Sequence, residues 1–133
     1  MEQRIKDSFH QQQFMQTLGA RLVSVEKGVV VIECDYHLKL TQQHQYIHAG
    51  AISTLADTAC GYAALSMMDN DKEVLSIEFK SSMMRPAKAE KLIATGRVIK
   101  SGRRITFCEA VVTDETGEIE FSRMTATMIS VNK

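Results

Sequence analysis

AGAISTLADTACGYAALSMM, residues 49–68, is strongly helical in composition, yet most of its residues are small and few are charged. A helix with so little polar surface has to be buried nearly all round. The flanking sequence supplies what could bury it. On the N-terminal side, residues 21–26 and 29–36 are rich in Val and Ile and read as a β-hairpin turning at Lys27-Gly28. On the C-terminal side, after Asn70-Asp71, four segments alternate in strand fashion over 74–84, 91–100, 105–113 and 119–131. Ser101-Gly102 and Thr113-Asp114-Glu115-Thr116-Gly117 supply turns between the last three, and the one proline, Pro86, ends or bends the third strand. Residues 4–18 carry Ile5, Phe9, Phe14, Met15 and Leu18 in an irregular helical stripe that Gly19 ends, giving one short helix or two. Residues 39–47 read as a polar, glutamine-rich loop. The class is therefore α+β: a curved antiparallel sheet wrapped around one long buried helix.

A chain of 133 residues with 44% hydrophobic content has enough for one core, so one domain over 1–133 is expected. Its 16 Lys+Arg balance 16 Asp+Glu, leaving no long-range field to gather nucleic acid or an anionic membrane. No stretch approaches the roughly 18 apolar residues of a membrane span, and the N-terminus MEQRIKDSFHQQQ is polar where a signal peptide is apolar. A cytosolic protein is expected. Cys34, Cys60 and Cys108 are odd in number and widely spaced, which reads as reduced, mostly buried thiols.

Asp57 stands in the middle of the least polar helix. A carboxylate there must be hydrogen-bonded or paired, and desolvation is expected to raise its basicity. It is either a structural aspartate satisfied by Ser53 or Thr54 one turn back, or a catalytic carboxylate acting as general base or nucleophile. Nine residues earlier, His48-Ala49-Gly50 marks the helix start, where the first amide N–H groups have no intrahelical partner. Small residues there form either a tight start to the helix or an oxyanion site that a carbonyl can approach. His37, His44 and His48 match no metal-binding spacing, and His37 is expected on a strand, so no metal or other cofactor is expected. There is no nucleophile elbow, P-loop or dinucleotide fingerprint. Two basic clusters remain, Arg85 with Lys88 and Lys91, and the turn Lys100-Ser101-Gly102-Arg103-Arg104. They are solvated surface or they hold the phosphates of a nucleotide-bearing substrate.

Taken in order, Tyr46-Ile47-His48-Ala49-Gly50, Leu55-Ala56-Asp57, Arg85-Pro86-Ala87 and Lys100-Ser101-Gly102-Arg103 resemble the PaaI-type acyl-CoA thioesterases of the hotdog superfamily over nearly the whole chain. The family has His-Gly-Gly at the helix start and an acidic residue nine positions after that histidine; His48 and Asp57 keep the interval, and Ala49 replaces the first glycine while retaining its amide. The resemblance implies a hotdog fold and hydrolysis of an acyl-CoA thioester. It implies that the Ala49 N–H meets the thioester oxygen, that Gln42 and His48 position the group, that Asp57 attacks or activates water, and that Ser76 orients that water or Asp57 itself. It also implies substrate contacts from Gly50 and Gly61, and CoA-phosphate contacts from Arg85, Lys100, Arg103 and Arg104.

Helix geometry adds one consequence. At 1.5 Å and 100° per residue, Asp57 lies about 12 Å beyond Ala49 and about 80° around the axis, so one thioester cannot easily touch both. Two antiparallel helices from two subunits bring the start of one beside the middle of the other, which predicts a homodimer with shared sites. A pair of dimers is common in the family. The competing function is a non-catalytic acyl-CoA-binding or sensing protein on the same fold. An acyl-CoA hydratase of the hotdog type would want Asp and His about five residues apart, a spacing absent near the helix.

Overall fold

The structure, a computed structural model, describes residues 1–133. The N-terminal segment forms two short helices, α1 (Glu2–Gln11) and α2 (Gln13–Leu18), separated at Gln12, whose backbone is extended. Gly19 ends α2 at φ 74°, a conformation glycine adopts without steric cost. Six strands follow around one long helix: β1 (Ala20–Glu26), β2 (Val29–Asp35), α3 (Ala49–Leu65), β3 (Lys72–Met83), β4 (Lys91–Ser101), β5 (Ile105–Thr113) and β6 (Glu120–Asn132). They make a single sheet in the order β1-β2-β4-β5-β6-β3, with every neighbouring pair antiparallel. This is the curved antiparallel sheet around one helix expected from the helix and its flanking strands, and it is the hotdog fold that the resemblance implies.

Period-two alternation sets which face of each strand meets α3. Val30, Ile32 and Cys34 of β2, Leu92 and Ala94 of β4, Cys108, Ala110 and Val112 of β5, and Met124, Ala126 and Met128 of β6 are all buried in one core with α3. The small residues of α3 let the helix lie unusually close to the sheet. At Gly96 on β4, an added Cβ would fall 2.4 Å from the Ala59 carbonyl carbon and 2.6 Å from the Cys60 nitrogen. Those are backbone atoms that can move only if the helix does. Gly96→Ala should therefore cost about 3 kcal/mol, the upper end of the usual overpacking penalty. Chemical denaturation should show the loss as a lowered midpoint with an unchanged slope.

Three details differ from expectation. First, α3 stops at Leu65 and not near Met68, because Ser66 turns back on the helix. Its Oγ donates to the Ala63 carbonyl at 2.6 Å and accepts the Gly28 N–H at 2.7 Å, fastening the β1–β2 turn to the helix end. Second, α3 is not buried all round. Ala49 and Gly50 are exposed, and Ser53, Thr54, Asp57, Thr58 and Gly61 are only half-buried, so one stripe lies outside the reach of the chain's own sheet. Third, His37 is not on a strand; it follows β2 and caps a 3-10 turn at residues 38–40, its Nδ1 accepting the Lys39 N–H at 3.0 Å. A histidine there satisfies an amide that the turn leaves free.

The uncovered stripe of α3 faces a sheet edge. β3 ends the strand order, bonded to β6 on one side only. Its register slips between Ser76 and Glu78, leaving Ile77 as an extra residue. Beyond the slip, Phe79, Ser81 and Met83 pair with the inward residues Ala126, Met124 and Ser122, so they share the helix-side face with Ser76. Phe79 and Met83 are nevertheless exposed, as are Leu75 and Ile77.

Candidate active site

The start of α3 is built by His48. It adopts an extended backbone (φ −60°, ψ 136°), and its Nδ1 accepts the Gly50 N–H at 2.8 Å. This is an N-cap made by an imidazole, and it fixes the tautomer, with the proton on Nε2. The His48 backbone N–H is itself tied to the Leu40 carbonyl at 2.8 Å. Gly50 therefore has its amide committed to the cap, whereas the exposed Ala49 N–H makes no hydrogen bond. A donor at the positive end of a 17-residue helix is left open.

Gln42 lies in the preceding loop, where an isolated bridge pairs Thr41 with Ile47. Its backbone N–H donates to the Tyr46 carbonyl at 2.8 Å, and its side-chain oxygen accepts the His44 N–H, leaving the amide nitrogen free. Gln42, His48 and Ala49 line one cavity of about 640 Å³, together with Met83, Met84 and Arg85. Of the expected phosphate contacts, only Arg85 is in that cavity.

Asp57 is held from another element. Ser76 on β3 donates its hydroxyl to Asp57 Oδ1 at 2.7 Å, and the same Oγ lies 3.2 Å from the Met128 sulfur. The local alternative is not realised for threonine, since Thr54 Oγ1 donates to the Gly50 carbonyl at 2.8 Å. Asp57, Gly61 and Ser76 line a second cavity of about 200 Å³ that shares no residue with the first. Within one chain, then, the open amide and the carboxylate open into different spaces.

Lys100, Arg103 and Arg104 line a third cavity of about 460 Å³ with Gly102, Ile105 and Phe107. The three cysteines are free and buried. The hydrogen bond Cys60 shares with Cys108, together with burial, holds the Cys60 thiol well above its usual range, which removes it as a nucleophile. No three His, Cys, Asp or Glu side chains converge.

The sequence reading did not reach the residues that roof the Asp57 cavity. Tyr62, buried on α3, accepts a hydrogen bond from Gln12 Nε2 at 2.8 Å and shares another with Ser8 Oγ at 3.0 Å. Ser8, Gln12 and Tyr62 all line the cavity with Asp57. Burial pushes the Tyr62 phenol up from its ordinary value, against the opposing pull of those two hydrogen bonds, so it stays a neutral O–H at neutral pH. The one sequence signal was the spacing of Arg4, Ser8 and Gln12 at four-residue intervals beside the apolar pair Ile5 and Phe9.

The family profile described as the thioesterase superfamily matches residues 44–121, from the Gln42–Ile47 loop into β6. The 1,4-dihydroxy-2-naphthoyl-CoA hydrolase of Listeria monocytogenes is 30% identical over 78% of this chain and 85% of its own length. The proofreading thioesterase EntH of Klebsiella pneumoniae is 28% identical over 75% of this chain and 73% of its own. Among solved structures, a thioesterase family protein from Silicibacter pomeroyi is 40% identical and superposes with a TM-score of 0.96, covering 99% of this chain and 98% of that one. The E. coli PaaI protein from the phenylacetic acid degradation operon superposes with a TM-score of 0.89 over 98% of this chain and 92% of its own; at 20% identity it speaks to the fold alone. The chain belongs to the thioesterase superfamily and is a thioester hydrolase.

Proposed function

We propose that the protein hydrolyses an acyl-CoA thioester to the free acid and CoA, with each site assembled from two copies of the chain. The observation that carries this reading is the pairing of an uncommitted Ala49 N–H at the α3 start with an Asp57 carboxylate held by Ser76 in a separate cavity. In the proposed site the Ala49 N–H of one subunit donates to the thioester oxygen and stabilises the negative charge that develops there. Gln42 and His48 shape the wall around it. Asp57 of the other subunit takes a proton from water as the water oxygen attacks the carbonyl carbon, or attacks that carbon itself to give an anhydride that water then opens. The C–S bond breaks, and the CoA sulfur leaves and is protonated. Ser76 orients the carboxylate in either route.

The β3 edge supports the two-copy arrangement. A free 12-residue edge strand carrying Leu75, Ile77, Phe79 and Met83 in the open is a surface that natural proteins otherwise blunt or cover. A second copy paired along it by a two-fold axis covers these side chains and brings the uncovered stripes of the two α3 helices together. The CoA-naming relative from Listeria supports the substrate class, and the Lys100–Arg104 turn supplies cations for its phosphates.

Incubation with a panel of acyl-CoAs, with released thiol read by a chromogenic disulfide, should show hydrolysis above the buffer rate for at least one member. Hydrolysis of none contradicts the reading. Reversing Arg103 to Glu should raise KM about tenfold, the worth of one charge-assisted contact, weaken the dependence of KM on salt, and leave kcat nearly unchanged. Equal KM values for acyl-CoA and acyl-pantetheine with the unmodified protein would show that the phosphates are not read.

A further inference from the structure

The Ser76 hydroxyl has a single proton and two acceptors within reach. Its Oγ lies 2.7 Å from Asp57 Oδ1 and 3.2 Å from the Met128 sulfur. Asp57 meets it from α3, whereas Met128 is its direct partner across the β3–β6 register. Met128 is fully buried, and its strand has a neighbour on each side, β5 and β3. The sulfur is therefore held by the core, while Ser76 itself is exposed in a single chain and Asp57 is half-buried. The register slip that leaves Ile77 extra begins at Ser76, and a bulge of this kind re-aims the side chains beside it.

A hydroxyl donates one hydrogen bond at a time, and a thioether is a weak acceptor beside an ionised carboxylate. With Asp57 charged, the Ser76 proton belongs to Asp57. The proposed hydrolysis removes that charge: Asp57 takes a proton from water, or its oxygen becomes bonded to the acyl carbon. Its hold on the Ser76 proton then weakens. Rotation about the Cβ–Oγ bond turns that proton to the Met128 sulfur, and the freed lone pairs of Oγ face the new Asp57 O–H, or the water that opens the anhydride. Ser76 is thus satisfied on both sides of the step. In the assembled site the second copy covers this stripe, so bulk water is not at hand to replace the sulfur.

Resting on the thioesterase reading above, we propose that Met128 is a positioning residue for hydrolysis: its thioether gives the Ser76 hydroxyl a second acceptor, which lets Ser76 follow the change of charge on Asp57. A leucine in its place fills similar space and accepts nothing. Ser76 is then left with one acceptor and favours the charged carboxylate over the state that follows it. The cost falls on the chemical step and not on substrate binding.

The test is a double-mutant cycle in kcat and KM on the best acyl-CoA of the panel, with Met128→Leu, Ser76→Ala and the two together. Exchange of methionine for leucine conserves volume and is well tolerated in cores, and Met128→Ile takes its place if the leucine variant does not fold. Met128→Leu should lower kcat about fivefold, the worth of one ordinary hydrogen bond, with KM nearly unchanged. Ser76→Ala keeps the Asp57 carboxylate and should retain measurable turnover, lowered about tenfold. In that background the second substitution should change kcat by less than about twofold, because the hydroxyl through which Met128 acts is gone. An equal loss in both backgrounds shows a packing effect and overturns the proposal, as does a Met128→Leu protein with the kcat of the unmodified one. Neither result touches thioester hydrolysis itself. Hydrolysis of no acyl-CoA by the unmodified protein removes that reading and this proposal with it.

Discussion

Asp57→Asn should lower kcat by at least about two orders of magnitude while leaving the fold and most of the KM in place. The asparagine keeps a side-chain oxygen where Asp57 Oδ1 accepts the Ser76 hydroxyl, so the contact between α3 and β3 survives. The site is only half-buried in a single chain, so no large packing term is at stake. What disappears is the negative charge, and with it both routes open to this group: an amide neither accepts a proton from water at neutral pH nor attacks a thioester carbon. Steady-state kinetics on the best acyl-CoA of the panel, with the thermal midpoint measured beside it, separates loss of chemistry from loss of fold. Turnover near that of the unmodified protein would remove Asp57 from its proposed role.

Much of this arrangement was legible in the sequence because it rests on periodicity. The small, apolar run at 49–68 specified a central helix, and the Val- and Ile-rich alternations around it specified the strands to within a few residues. What escaped depends on contacts between distant segments. Ser53, Thr54, Thr58 and Gly61 are small enough to sit inside a helix–sheet interface, and nothing in their identity says that the sheet stops short of them. Their half-exposure follows from how far six strands curl. Likewise, the spacing of Arg4, Ser8 and Gln12 marks a polar flank of α1, but Tyr62, the partner of Ser8 and Gln12, lies 50 residues beyond Gln12. His48 was recognised as the residue before the helix, yet only the coordinates show that its imidazole occupies the Gly50 amide and so singles out Ala49 as the free donor. The two basic clusters were given one role, contact with CoA phosphates, by the resemblance; in the folded chain Arg85 lines the cavity of Ala49, while Lys100, Arg103 and Arg104 surround a different one.

The shared site is the central claim, and the free Ala49 amide makes it testable without deleting a side chain. Ala49 is the first residue of α3, where proline fits the backbone, and His48 before it is already extended as a residue preceding proline requires. The lost N–H bonds nothing in the chain, so Ala49→Pro should fold normally and be nearly inactive. Asp57→Asn should be nearly inactive alone as well. In a mixed dimer, the intact amide of one subunit meets the intact carboxylate of the other, and one of the two sites is whole. Co-refolding equal amounts gives mixed dimers in about half the population, each with one good site, so the mixture should recover about a quarter of unmodified activity. If amide and carboxylate came from the same subunit, every site would lack one of them. With subunit exchange confirmed by differently tagged chains, recovery near a quarter is the result the shared site predicts, and a mixture no more active than its separate components would contradict it.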